Sequence, residues 1–329
     1  MKLLLTGATG FVGRNFLLTA LRTGRYEKIF VSVRDEAKLR RQFSEEGFAE
    51  FPSTLIPLKT GEKVEACDEV IHCAGVLFER DRNIYHAVNV EGTLRLIESL
   101  QGSPRILIVS SQSAGGATPK DVLSRNEKHP DAPLTWYGES KRDMENALFE
   151  KFPHLPIVVV RPPMVLGARD TATLPLFQMA GNFLRVKSAW HPKFYSWIAV
   201  NDFIAAFFSV LEDKKIWAEE GRRLFYVAAS AVITDQELIS TAAKVMGRNG
   251  VTVPIPQVML KLASHVVDAS PALRKQVPSL TRDRAREIWP SRMVIDPSAF
   301  AGRFDWSAKA SLEATLQETW AWYSAKVTG

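Results

Sequence analysis

The chain places a phenol and an ammonium four residues apart, Tyr137 and Lys141, in the stretch LTWYGESKRDMENAL (134–148). Residues four apart on a helix share a face, so both can address one ligand. A free phenol has a pKa of about 10 and is a poor base at neutral pH. Lowering it by about three units takes roughly 4 kcal/mol, which a cation about 4 Å away can supply at an effective dielectric of about 20. The pair therefore reads as an acid/base, provided a ligand lies alongside. Upstream, RILIVSSQSAGG puts Ser110, Ser111 and Ser113 just past an apolar run. A serine there can donate to a carbonyl oxygen as it becomes an alkoxide.

A third group of residues suits a cofactor. TGATGFVG (6–13) carries Gly7, Gly10 and Gly13 directly after one apolar run and at the opening of a helical pattern. That is the context of a dinucleotide-binding turn. Gly7 permits the turn, Gly10 lets backbone approach a pyrophosphate, and Gly13 lets helix and strand pack closely. The helix N-terminus then offers free N–H groups to phosphate. An acidic residue at the end of the second strand would bond a ribose 2′-hydroxyl. Here VSVRDEAKLRR has Arg34 at that place, followed by Lys38, Arg40 and Arg41. A guanidinium fork suits a 2′-phosphate, so NADP(H) is expected, with NAD kept open by Asp35.

The elements that must position these groups follow from hydropathy. KLLLT (2–6), KIFVSVR (28–34), TLIPL (54–58), DEVIHCAG (68–75), RILIVSS (105–111) and PIVVVRP (156–162) are continuous apolar runs, as expected of strands buried on both faces. Helical patterns lie between most of them: 11–24, closed by Gly24, then 83–100 and the Tyr137 segment. The alternation predicts an α/β fold with a doubly wound parallel sheet of the Rossmann kind. Beyond about residue 163, LPLFQMAGNFLRV reads as helical, WIAVNDFIAAFFSVLE as strand into helix and RLFYVAA as a strand. The expected division is a dinucleotide-binding domain over 1–163, with 197–230 partly returning to it. A smaller, helix-rich substrate lobe would take 164–196 and 231–329. VMLKLASHVV (258–267) could lie on a membrane as an amphipathic helix, but burial against the lobe is the expectation.

Composition limits the alternatives. The chain has 329 residues, 46% hydrophobic and 24% charged, with a net charge of +6. That mild, spread surplus suits an anionic ligand and not nucleic acid. Cys67 and Cys73 are the only cysteines, and the histidines show no paired ligand spacing, so neither disulfide nor metal is expected. Cys73 is expected to be a buried small hydrophobe. The N-terminus is too short in apolar residues for a signal peptide and no run spans a bilayer, so a cytoplasmic protein acting on a small molecule, away from membranes, is expected.

Taken together, these motifs resemble those of the extended short-chain dehydrogenase/reductases, the NAD(P)-dependent epimerase/dehydratase group. TGATGFVG is similar to its cofactor loop, VIHCAG to the segment after its fourth strand and NVEGT to its Asn-bearing helix. VSSQSAGG resembles its serine turn, YGESK its Tyr and Lys, and RPPMVLG and IAVNDFIAAF its later landmarks. The resemblance implies Tyr137 as acid/base, Lys141 holding the cofactor ribose and depressing the phenol, and Ser111 orienting the substrate oxygen, with Ser113 as a substitute. Asn89 would join the supporting network. The cofactor would be lined by Thr9, Phe11, Val12, Cys73, Ala74, Gly75, Ser110, Pro162 and Val165 besides the glycines and Arg34. A homodimer is also implied.

The departures narrow the chemistry. Dehydratases of this group carry Asp-Glu after the catalytic hydroxyl, where this chain has Gln112 and Ser113. Sugar-nucleotide epimerases carry an Arg and an Asp where Tyr195 and Asn201 stand, although Arg169 or Arg185 could bind a diphosphate instead. VRDEAKLRR and RPPMVLG are more similar to dihydroflavonol-reductase and 3β-hydroxysteroid-dehydrogenase relatives. The expectation is an oxidoreductase interconverting a carbonyl and a secondary alcohol on a small apolar or cyclic substrate. A nucleotide-sugar epimerase with tightly bound NAD is the alternative. Gly115 and Gly116 would leave extra room beside the substrate.

Overall fold

The apolar runs of the first half are strands: β1 (Lys2–Thr6), β2 (Lys28–Val33), β3 (Leu55–Lys59), β4 (Glu69–His72), β5 (Arg105–Val109) and β6 (Ile157–Arg161). They are seen in a computed structural model that describes residues 1–276 and 281–328. With strand Arg223–Tyr226 they form one parallel sheet, in the order Arg223–Tyr226, β6, β5, β4, β1, β2, β3. The order reverses between β1 and β4. Connections leave that point in opposite directions, which opens a crevice at the C-terminal ends of the strands.

Both faces of the sheet are covered, which is why its strands are apolar throughout. Leu3 and Leu5 face α1 (Phe11–Thr23) and the helix Val200–Glu212, where Phe16 meets Phe207 at 5.7 Å between ring centres. Leu4 faces the other layer, with Val90 and Leu94 above it and Met144 and Leu148 from the helix Trp136–Lys151. The helix carrying Val90 is interrupted: α-helical turns Arg82–Tyr85 and Gly92–Glu98 flank a π-helical segment, His86–Glu91.

Residues beyond β6 are shared between sheet and lobe. Trp197–Ala199 pairs with Met164–Leu166, and strand Arg223–Tyr226 lies beside β6. A separate core, with Phe177, Trp197, Ile233, Ala242 and Leu316, holds the second lobe together. LPLFQMAGNFLRV is not one helix. Helix Leu174–Ala180 stops at Gly181, and Leu184–Lys187 is a strand paired in parallel with Val251–Pro254. The apolar residues Leu184 and Val186 alternate there with Arg185 and Lys187, a period of two that overrides the helical reading.

Truncating Leu4 to Ala should lower unfolding free energy by about 2–5 kcal/mol. Leu123→Ala, at a side chain 74% exposed, should stay within about 0.5 kcal/mol. Urea denaturation of the two variants checks the contrast.

Candidate active site

The glycine turn opens onto the crevice between β1 and β4. Gly7 has φ +74°, and a Cβ there would lie 2.6 Å from the backbone of Cys73 and Ala74. A Cβ on Gly13 would lie 2.3 Å from the Gly7 carbonyl oxygen, so strand and helix touch through hydrogen atoms only. Gly10 is the N-cap of α1 and supplies no side-chain acceptor, which leaves the first N–H groups of the helix for an anion. This cradle fits a dinucleotide pyrophosphate. Thr9, Phe11 and Val12 lie on its rim, each partly exposed.

Arg34 is exposed at the end of β2, in a recess lined also by Leu58 and Thr60. It makes no ion pair among the described residues. Its neighbours are otherwise engaged: Arg40 bonds Glu36 at 2.6 Å, and Asp35 accepts the Lys38 N–H at 2.9 Å to cap the next helix.

On the other side of the crevice, Asn89 is buried on the π-helical turn. Its amide donates to the Val76 carbonyl (3.1 Å) and to Ser140 Oγ (2.9 Å), and its Oδ1 accepts the Val76 N–H (2.8 Å). The extra backbone residue of a π segment re-aims a side chain, and such segments are frequent at functional sites. His72 is held between the hydroxyls of Thr6 (2.7 Å) and Thr93 (2.9 Å), and burial lowers its pKa to about 3. Cys73 is only partly covered, yet burial of its thiol pushes its pKa up to about 12.

Ser111, at the end of β5, accepts the Ser113 N–H at 3.1 Å and faces the Tyr137 phenol closely enough to lower its pKa. Ser113 is buried behind it, its carbonyl against Gly138, where a Cβ would come within 2.3 Å. Lys141 is buried, with Nζ donating to the Val109 carbonyl at 2.8 Å and lying 3.7 Å from where a Cβ on Gly75 would be. Ala74 leads into that glycine, its N–H 3.3 Å from Thr6 Oγ1. The structure thus brings Ser111, Tyr137, Lys141 and Asn89 to one end of the crevice. Ser110 turns away: its hydroxyl donates to Glu145 at 2.5 Å, so it has no hydroxyl to offer a cofactor. Pro162 is buried with its carbonyl accepting from Gln112 at 2.9 Å, while Val165 is half-buried on the Met164–Leu166 strand.

The electrostatics differ from the sequence expectation. Burial holds the Tyr137 phenol at about 12, and the cation that pulls it down is Arg284, whose guanidinium carbon lies 5.2 Å from the ring centre. Burial lowers the Lys141 pKa to about 8, opposed by Glu145, one helical turn further on. The ammonium reaches for the Val109 carbonyl and not for the phenol. Sequence spacing correctly puts two side chains on one face but does not tell which acceptor the longer one finds.

Two contributors were missed. Glu145 extends the Tyr137–Lys141 spacing by four more residues, a pattern visible in the sequence but not singled out. Arg284 comes from the second lobe, which also ties down the start of the helix: Asp283 accepts the Trp136 N–H at 2.9 Å and Glu287 accepts the Thr135 hydroxyl at 2.9 Å. Gly115 and Gly116 leave no extra room. A Cβ on Gly115 would strike the Tyr226 hydroxyl at 2.0 Å, and one on Gly116, at φ +86°, would lie 1.9 Å from the Ala132 carbonyl oxygen.

Residues 3–220 match the NAD dependent epimerase/dehydratase family. The chain belongs to that family. It is similar to a ceramide reductase of Caulobacter vibrioides, 27% identical over 86% of this chain and 83% of the relative. It is also similar to the 4-hydroxy-2-methyl-3-oxo-4-farnesyl-3,4-dihydroquinoline-1-oxide ketoreductase of Stigmatella aurantiaca, 24% identical over 86% and 87%. The fold is shared with a UDP-glucuronic acid 4-epimerase from Bacillus cereus, TM-score 0.76 at 18% identity, covering 99% of this chain and all of that one. This epimerase/dehydratase-family enzyme is a nicotinamide-dependent oxidoreductase of the extended short-chain type.

Within the family, its departures now have positions. Arg169 is clamped by Glu46 at 2.5 and 2.6 Å, and Arg185 is buried, donating to the carbonyls of Asn182 and Arg248. Neither is left to grip a diphosphate. Tyr195 is half-buried on a short strand, and Asn201 is exposed, 3.4 Å from Glu318. Among the described residues no cluster of His, Cys, Asp and Glu could hold a metal, and no helix is long and apolar enough to cross a membrane.

Because its folded pKa is about 8 and its ordinary value 10.5, Lys141 makes stability depend on pH. Between those values the unfolded chain keeps the proton that the folded chain has released, so raising pH favours folding. Relative to Lys141→Met, the native enzyme should gain on the order of 1 kcal/mol per pH unit across that window and nothing below it. Chemical denaturation at pH 7, 8, 9 and 10 measures the difference in slope.

Proposed function

We propose that this enzyme interconverts a carbonyl and a secondary alcohol on a small apolar or cyclic substrate, with NADP(H) as preferred cofactor. The observation that carries the reading is the convergence of the Ser111 and Tyr137 hydroxyls beside buried Lys141, with Gln112 and Ser113 where a dehydratase needs an acid and a base. The similar proteins named for their reactions, a ceramide reductase and a ketoreductase of a farnesyl-bearing compound, support it. So does the engagement of Arg169 and Arg185 elsewhere.

In this reading the cofactor, when bound, supplies or accepts the hydride. Ser111 donates to the substrate oxygen and orients it. Tyr137 gives the proton in reduction and takes it in oxidation. Arg284 and Lys141 place positive charge on two sides of the cleft, which favours the phenolate once water is excluded. Asn89 holds the Val76 segment and Ser140 in place beneath. Arg34 would meet a 2′-phosphate with its guanidinium.

Tyr137→Phe should lower turnover of a ketone by about 10²-fold or more, with cofactor affinity kept. Arg34→Ser should weaken NADPH binding by on the order of 10- to 100-fold and leave NADH nearly unchanged, as expected for loss of a charge-assisted bond. Steady-state kinetics and cofactor titration against a ketone panel read both. Unchanged turnover in Tyr137→Phe, or purified protein that retains NAD and epimerises a nucleotide sugar, would overturn the proposal.

A further inference from the structure

The helix Gln257–Ala269 turns its apolar stripe to solvent. Val258, Met259, Leu262 and Val266 are each more than half exposed, and at 3.6 residues per turn they fall within an arc of about 100°. Ser264 and Val267, on the opposite side, are the buried ones. Burial of this helix against the lobe, the expectation from sequence, is therefore reversed. The lobe is satisfied by the small face, and the wide apolar face is left over.

The two-stranded sheet that leads into the helix is turned the same way. Leu184 pairs with Val251 and Val186 with Val253, so the four share one face, and all four are exposed. Between them Arg185 faces inward, 4% exposed, and Lys187 lies 3.8 Å from Asp235. A sheet with one solvated face ordinarily has the opposite arrangement. Phe183 and Trp190, each 72% exposed, stand before and after the strand in the chain.

Charge identifies what this face fits. Segments 182–193 and 244–276 hold eight Lys and Arg against one Asp, a net +7 in a chain of +6. Arg185 and Lys193 are buried, Asp235 answers Lys187 and Glu313 answers Lys244 (2.7 Å); the other four are Arg248, which is exposed, and Lys261, Arg274 and Lys275, against Asp268. Exposed apolar side chains with aromatic anchors, among surplus cations, match the boundary of an anionic bilayer: the apolar groups enter it and the cations meet lipid phosphates.

We propose that this face docks the enzyme on an anionic lipid surface. A different side of the helix is tied toward the cleft. Asp268, near the end of the helix, accepts from Arg80 Nε at 3.2 Å and from the Arg282 N–H at 2.9 Å, and Arg284 two residues on lies over Tyr137. Docking itself does not depend on the reductase reading, and its test uses no activity.

Co-sedimentation of the full chain with vesicles of phosphatidylcholine, with and without phosphatidylglycerol, tests the proposal at about 0.1 M salt. The chain should bind the phosphatidylglycerol vesicles, and less so at about 0.5 M salt. The double variant Leu262→Glu with Val266→Glu should lose on the order of tenfold or more in apparent affinity. Leu123→Glu, an exposed apolar position outside the face, should bind like the native chain, and melting curves of all variants check the fold. Failure to bind any vesicle, or binding untouched by the double variant, overturns the proposal. So does a native dimer in solution that the double variant dissociates without any lipid binding, because the face then pairs two copies.

Discussion

A single buried cluster of charge fixes the helix Trp136–Lys151 to the sheet. Glu145 is fully buried and takes hydrogen bonds from Arg161 and from Ser110, while Arg161 also grips Asp131 at 2.7 Å through both terminal nitrogens and the Tyr226 hydroxyl at 3.0 Å. Charges taken out of water are costly unless every lone pair and proton finds a partner, so this geometry tolerates little movement. Glu145 lies one turn beyond Lys141 and two beyond Tyr137. Anchoring it at the ends of β5 and β6 carries the ammonium to the Val109 carbonyl and the phenol to the open edge. The cluster is thus a positioning device for groups that it does not touch.

The second lobe completes the site electrostatically. Its 3₁₀ turn Arg284–Ile288 brings a guanidinium to the phenol, and the preceding Asp283 satisfies a backbone N–H at the start of the helix Trp136–Lys151. Such N–H groups have no partner inside a helix, so Asp283, with Glu287 on the Thr135 hydroxyl, ties the start of this helix to the second lobe. Lys141 is held low by burial beneath the crevice, and the Arg284 guanidinium stands over the ring.

The same lobe shows why apolar character alone does not mark a core. Phe177 and Trp197 are buried in its centre, whereas Phe183 and Trp190, from equally aromatic stretches, stand in solvent. A two-stranded sheet and a helix have too little neighbouring structure to cover both faces. The inward side here is chosen by Arg185, whose guanidinium closes the carbonyls of Asn182 and Arg248. Contiguous exposed apolar faces commonly mark interaction surfaces.

The sequence by itself determined the sheet, the glycine turn and the spacing that groups Ser111, Tyr137 and Lys141. These are local: continuous apolar runs demand two-sided burial, a Cβ on Gly13 would strike the Gly7 backbone six residues back, and a four-residue spacing needs only a helix. Asn89 was also legible, though the π-helical turn that aims it was not, since that depends on how the helix packs against β4 and the helix Trp136–Lys151. Only the tertiary structure decided which cation faces the phenol, that the Ser110 hydroxyl serves Glu145, that Gly115 and Gly116 are filled by Tyr226 and Ala132, and that Leu262 faces out. Each of these depends on a partner 16 or more residues away, in an element whose approach is set by packing and buried charge; no periodicity along the chain encodes that approach.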